Sequence, residues 1–131
     1  MNTKICPNCN KEKDISEFYK KNDRKNGSSS CKSCFTEYCT NRLIKKKIDA
    51  ILYKGSKCND CSFSYPDYPY VIFDFHHKDP NLKEFDWSKL RLRSKDTIIR
   101  ELDKCDLLCS NCHRIRHYKQ QVAPEGIEPP F

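Results

Sequence analysis

The sequence predicts a small α+β fold in which cysteine clusters, more than apolar burial, hold the chain together. Three observations predict it. Ten cysteines stand in 131 residues, eight of them in four C-x2-C pairs. The run from Lys32 to Tyr53 has the apolar period of a helix, and Tyr70-Val71-Ile72-Phe73-Asp74-Phe75 is an aromatic, β-branched run that ends on the doublet His76-His77. With 37% apolar content a chain of this length buries only a modest core, so two small modules are expected. The expected division is residues 1–55, residues 56–121 and a tail over 122–131.

The pairs are Cys6-Pro7-Asn8-Cys9, Cys31-Lys32-Ser33-Cys34, Cys58-Asn59-Asp60-Cys61 and Cys109-Ser110-Asn111-Cys112. Chance would give roughly 0.7 such pairs, so the spacing signals a shared role. Each turn presents two sulfurs to one ion, and a tetrahedral Zn²⁺ site needs four thiolates at about 2.3 Å. The N-terminus has no apolar signal region and no run approaches a membrane span, which points to a reducing compartment. The cytoplasm, the host's for a viral protein, is the expected location. There, clustered cysteines bind metal more often than they form disulfides. A redox pair would need a βαβ context, whereas iron would accept the same four sulfurs. Two structural Zn²⁺ are therefore expected, on Cys6, Cys9, Cys31 and Cys34 and on Cys58, Cys61, Cys109 and Cys112, with interleaved pairing as the alternative. The formal charge of +7 falls to about +3 once eight thiolates and two Zn²⁺ are counted. Global charge is then weak evidence for a nucleic-acid partner, and the local pattern must carry it.

Along the helix Phe35, Cys39, Leu43 or Ile44, Ile48, Ile51 and Leu52 form the apolar stripe, and Gly55 is the expected stop. The other face carries Arg42, Lys45, Lys46 and Lys47. It is either a solvated face or a phosphate-contacting patch. In the aromatic strand, alternation turns Val71, Phe73 and Phe75 to the core and puts Asp74 and His76 on the opposite face. Lys78-Asp79-Pro80-Asn81 reads as a turn, after which the chain could return as a second strand. Trp87 and Leu90 read as packing residues, and Ser94 as the N-cap of a helix from Lys95 to Lys104 with Ile98, Ile99 and Leu102 on its apolar face. Cys105 is expected to pack with Leu107 or Leu108. A final helix runs from the last cysteine pair to near Gln121 and carries His113 and His117 at i and i+4, where both imidazoles reach one point. Val122 to Phe131, with three prolines and two glutamates, reads as a disordered tail.

Hydrolysis of a phosphodiester needs a base for water, a cation to stabilise charge on the phosphate, and positive groups to hold the strand. The second module offers each. His77 is the expected base, because a free imidazole titrates near neutrality. His76 and His113 are the expected metal ligands, with His117 a third and Asp74 a weaker carboxylate candidate. Arg114 and Arg116 are candidate phosphate clamps. Asn111 either orients the base or satisfies backbone in the cysteine turn. The structural alternative lets His113 replace Cys112 in a zinc site and makes the doublet a strand-end cap. It explains four histidines separately where one site explains them together. No serine or cysteine nucleophile motif is visible.

Phe73-Asp74-Phe75-His76-His77 with Lys78-Asp79-Pro80, then Cys109-Ser110-Asn111-Cys112-His113-Arg114, with Cys58 and Cys61 upstream, resembles the HNH nucleases. The resemblance covers roughly residues 56 to 120 and is specific as a combination. Its zinc-clasped layout is similar to the recombination endonuclease VII type of phage, and the N-terminal pairs before a basic helix are similar to accessory zinc modules of phage HNH proteins. The resemblance implies a ββα-metal hairpin and helix, DNA as substrate, His77 as general base, and His76 and His113 as ligands of a catalytic divalent ion (Mg²⁺, Mn²⁺, Zn²⁺ or Ni²⁺). Two residues depart from the pattern. His76 stands where many members have Asp, which favours a transition ion over Mg²⁺. Lys104-Cys105-Asp106 stands where many have Asn, which leaves the group orienting His77 unidentified. The expected partner is double-stranded DNA and no membrane, with a homodimer left open. The competing classes are a non-catalytic double-zinc nucleic-acid-binding or regulatory protein, and a protein-interaction module with paired zinc knuckles.

Overall fold

The computed structural model describes residues 2–20 and 29–120. The expected tail, and most of the polar insert around Asn26-Gly27-Ser28, lie outside the described residues. The chain divides into two compact units, Met1–Lys45 and Lys46–Phe131.

In the first unit β1 (Thr3–Ile5) pairs antiparallel with β2 (Glu12–Asp14), Thr3 opposite Asp14. The turn between them carries Cys6 and Cys9. It closes through an Asn10 amide donating to the Cys6 carbonyl at 2.7 Å, with Asn10 at φ +57°, a conformation asparagine tolerates better than most residues. The Asp14 carboxylate accepts from the Ser16 amide and starts a short 3-10 turn. Phe18 then packs against Cys6 and Cys31, all three buried, and among the described residues this is the unit's whole core. So small a core cannot offset the entropy of ordering the segment, which leaves the sulfur cluster as its main support.

Helix α1 spans Lys32–Tyr53, as its periodicity predicts. It ends where Gly55, at φ +94°, turns the chain: the Gly55 amide donates to the Leu52 carbonyl and the Ser56 amide to the Ile51 carbonyl, the two bonds of a Schellman cap. The division between units falls inside this helix and not at 55/56. The reason is packing, since Ala50 and Ile51 on its last turns are buried among second-unit residues. Phe35 and Leu52, expected on the apolar stripe, are exposed.

In the second unit the aromatic run opens with a 3-10 turn, Tyr70–Ile72, before β3 (Phe73–His77). Val71 is therefore exposed and not in the core. The return strand is β4 (Cys105–Cys109), antiparallel to β3 with Phe73 opposite Cys109 and His77 opposite Cys105. It does not follow the turn at Pro80 directly. The intervening residues form α2 (Trp87–Leu90) and α3 (Lys95–Leu102), because a Ser94 hydroxyl accepting from the Thr97 amide caps a helical period of Ile98 and Leu102. Phe73, Leu107 and Leu108 are fully buried with Ile51, Cys58 and Cys109, while Ala50, Leu90 and Leu102 form a second cluster with Phe75 and Trp87. Burial of Phe73 alone contributes about 2 to 3 kcal/mol. That Leu107 and Leu108 are both inaccessible shows that β4 is covered on both faces, so it lacks the alternation of a half-exposed strand. Helix α4 (Ser110–Gln120) follows β4 without a loop. The architecture is thus a small α+β protein with, among the described residues, two two-stranded antiparallel sheets. Among the described residues no helix is long and apolar enough to cross a membrane.

Candidate metal centre

Three clusters of metal-ligating side chains form among the described residues. Two are the expected cysteine sets, Cys6, Cys9, Cys31 and Cys34 in the first unit and Cys58, Cys61, Cys109 and Cys112 in the second; the interleaved alternative is not adopted. A tetrahedron with about 2.3 Å metal–sulfur bonds has edges near about 3.8 Å, and the Cys9–Cys31 and Cys61–Cys109 sulfurs lie 4.0 and 3.7 Å apart. Backbone amides point at the sulfurs, Cys31 N–H to Cys6 Sγ at 3.4 Å and Cys109 N–H to Cys58 Sγ at 3.2 Å. The electrostatics fit a cation. The Ser33 hydroxyl leads the groups that hold Cys31 down at about 5, while Cys34 is pushed up to about 12, first by the sulfur of Cys31. Burial pushes Cys58 up, but the amides of Cys109 and Asp60 more than offset it and leave it at about 7. Crowded thiols that cannot all ionise alone become four thiolates on a dication. Both sets can hold zinc. Among the described residues all ten cysteines are free thiols, and Cys39 and Cys105 belong to neither cluster.

The third cluster is His76, His113 and His117, whose ligand nitrogens lie within 4.8 Å of one another. His76 is buried on β3, and its ring centroid is 5.2 Å from that of His113 and 5.1 Å from that of His117. One helical turn apart on α4, His113 and His117 bring their Nε2 atoms to 3.0 Å. Ligands of one ion at about 2.1 Å sit about 3.0 to 3.4 Å apart, so the spacing fits a shared cation. Asp74 is not part of this cluster: its carboxylate accepts from His113 Nδ1 at 3.2 Å, which leaves the Nε2 lone pair for a metal. Burial, followed by His113 and His117, lowers the pKa of His76 and favours the neutral, ligating form.

His77 stands apart from these three, because neighbours on a strand face opposite ways. Its Nε2 lies 2.7 Å from the Glu101 Oε1. His77 nevertheless lines the same cleft, about 270 Å³, as Asp74, His113, Lys47 and Trp87. Glu101, only 2% exposed, also accepts from the Glu84 amide at 3.0 Å, the Phe85 amide at 3.3 Å and Lys104 Nζ at 3.1 Å. Burial pushes this carboxyl up, yet the Glu84 amide, His77 and Lys104 together hold it at about 2. Sequence reasoning missed Glu101. Its signal was an acid between Ile98 and Leu102, on the buried face of α3.

The basic candidates are used in different ways. Lys46 donates to the Arg91 carbonyl at 2.6 Å, and Lys47 lies 5.2 Å from the Phe75 ring centroid and 5.8 Å from that of Trp87, its pKa lowered by burial. Arg116 is committed to Asp60 and Asp106, all three contacts at 2.6 Å. Arg114 is exposed on α4, Arg42 sits over the Tyr38 ring at 5.8 Å, and Lys45 is exposed on α1. Asn111 is exposed in the first turn of α4, and Glu101, not Asn111, is hydrogen-bonded to His77.

No family model, curated protein or solved structure matches the chain. The functional reading therefore rests on the residues themselves.

Proposed function

We propose that the chain is a metal-dependent endonuclease of the HNH type, hydrolysing phosphodiester bonds of double-stranded DNA. The observation that carries the reading is the juxtaposition of three imidazoles grouped as if around one ion with a fourth, His77, that shares a cleft with one of them, His113, and is paired to a buried carboxylate. The antiparallel β3 and β4 followed by α4 support a ββα-metal module, and the cysteine cluster at its base supports the zinc-clasped variety.

His76, His113 and His117 would hold a divalent ion, which supplies Lewis-acid stabilisation of charge on the phosphate and the leaving oxygen. Three neutral imidazoles suit a transition ion better than Mg²⁺. Asp74 holds the His113 ring in its ligating tautomer. His77 takes the proton from the attacking water. Lys47 in the cleft and Arg114 on the exposed face of α4 contact the strand's phosphates. Arg116 keeps α4 in place and does not touch the substrate.

The test is cleavage of supercoiled plasmid by the zinc-loaded full chain with Mn²⁺, Ni²⁺, Zn²⁺ or Mg²⁺ added. Cleavage that falls about 10²- to 10⁴-fold in His77→Ala, with circular dichroism and zinc content unchanged, is expected. Salt-dependent DNA binding with no turnover in any metal would replace the enzyme with a non-catalytic binding protein.

A further inference from the structure

We propose that Glu101 is the positioning residue of His77: its carboxylate fixes the imidazole with the proton on Nε2, leaving Nδ1 as the nitrogen that receives the proton of water in the cleft. The inference rests on the nuclease reading above and deepens it.

The protonation pattern follows from who can donate. Oε1 of Glu101 takes the amide hydrogens of Glu84 and Phe85, donors that favour the ionised carboxylate, and an ionised carboxylate only accepts. The hydrogen in its 2.7 Å contact with His77 must therefore sit on Nε2. Lys104, also only a donor, occupies Oε2. Among the described residues no protein group is hydrogen-bonded to His77 Nδ1, and the ring lines the cleft beside Asp74 and His113. A carboxylate behind an imidazole does two things: it selects the tautomer, and it stabilises the imidazolium formed when the other nitrogen accepts a proton. Glu101 is 2% exposed and anchored by three donors besides His77, so the ring it holds has a fixed direction. Its two backbone contacts also hold the chain at Glu84 and Phe85, so a purely structural role is the rival to exclude.

The experiment uses the full chain with both cysteine clusters zinc-loaded. Nitrogen-15 chemical shifts of the His77 ring at about pH 8, where a neutral imidazole reveals its tautomer, are expected to show Nε2–H. Cleavage kinetics of Glu101→Gln, which keeps an oxygen for the two amides but removes the charge, are expected to show kcat reduced about tenfold or more with KM within about twofold. In the His77→Ala background the same substitution is expected to cost nothing further, because a group acting through His77 has no effect once His77 is gone. An equal fractional loss in both backgrounds would make Glu101 structural and overturn the proposal. An Nδ1–H tautomer in a protein that cleaves DNA would overturn it while leaving the nuclease reading standing. An inert wild type with His77 in the Nε2–H form would instead remove the nuclease reading, and the role in proton abstraction with it.

Discussion

Arg116→Ala tests how α4 is held against the cysteine clasp. The guanidinium forks onto Asp60 through Nε and Nη2 and reaches Asp106 through Nη1, each contact 2.6 Å. Asp60 lies inside the Cys58–Cys61 turn and Asp106 on β4, so one side chain joins the cysteine turn, the strand and the helix that carries His113 and His117. A buried charge-assisted hydrogen bond is worth about 1.5 to 3 kcal/mol, whereas an exposed ion pair contributes about 0 to 1. The Asp60 side chain is 34% exposed and that of Asp106 19%, which puts the first pair near the lower figure and the second between them. Asp106 also keeps the Asn59 amide at 2.8 Å when Arg116 is removed, which softens its loss. The net expectation is destabilisation of the second unit by about 2 kcal/mol. Arg116→Lys, which keeps the charge but cannot fork, is expected to lose about half as much. Urea unfolding followed by the fluorescence of Trp87, the only tryptophan, reports this unit. The effect should shrink in about 1 M salt, where the half-exposed Asp60 pair is screened. A shift below about 0.5 kcal/mol would refute the reasoning and reduce the fork to a surface contact.

Three further outcomes are expected. Cys6→Ser should remove one of two tightly held metal ions, seen as a halving of the thiolate-to-metal absorption of the cobalt-loaded protein, with Trp87 fluorescence unchanged because the lost site lies in the other unit. Glu101→Gln should cost about 2 to 3 kcal/mol near pH 7, since its carboxyl is held at about 2 against an ordinary 4.5. A depressed carboxyl stabilises fully above its unfolded pKa and loses that contribution as pH falls through the folded one. The difference in urea stability between wild type and variant should therefore stay flat from about pH 8 to about pH 5 and narrow below, and a difference that grows on acidification would be wrong for this sign. Phe73→Ala, at a site with no accessible surface beside the cysteine cluster, should cost about 3 to 5 kcal/mol in the same urea assay.

Elements with a local signature were legible from residues alone. The helix over Lys32–Tyr53 declared itself by period and by Gly55, the cysteine clusters by spacing, and α3 by Ser94. What escaped depended on contacts distant in sequence. β4 is five residues long and covered on both faces, so Leu107-Leu108 shows no alternation to set it apart from a helical or loop segment. The pairing of His77 with Glu101 joins a strand to a helix 24 positions away, and neither residue type announces the other. Convergence of His76, His113 and His117 was readable because the i, i+4 spacing and the cysteine clasp act at known points. The departure of His77 from that group followed from strand alternation, which adjacency in sequence obscured.

The β3–β4 register also determines which side of the strand pair each of two neighbouring imidazoles takes. His76 stands opposite Asp106 and His77 opposite Cys105. A slip of one residue would exchange their sides, sending His77 toward α4 and His76 toward Glu101. Phe73 and Cys109 are partners at one end of the ladder, and the Cys109 sulfur lies 3.7 Å from that of Cys61. An ion bound there would act as an index pin, so that a bond to sulfur at one end of the strand pair assigns the chemistry of nitrogen at the other.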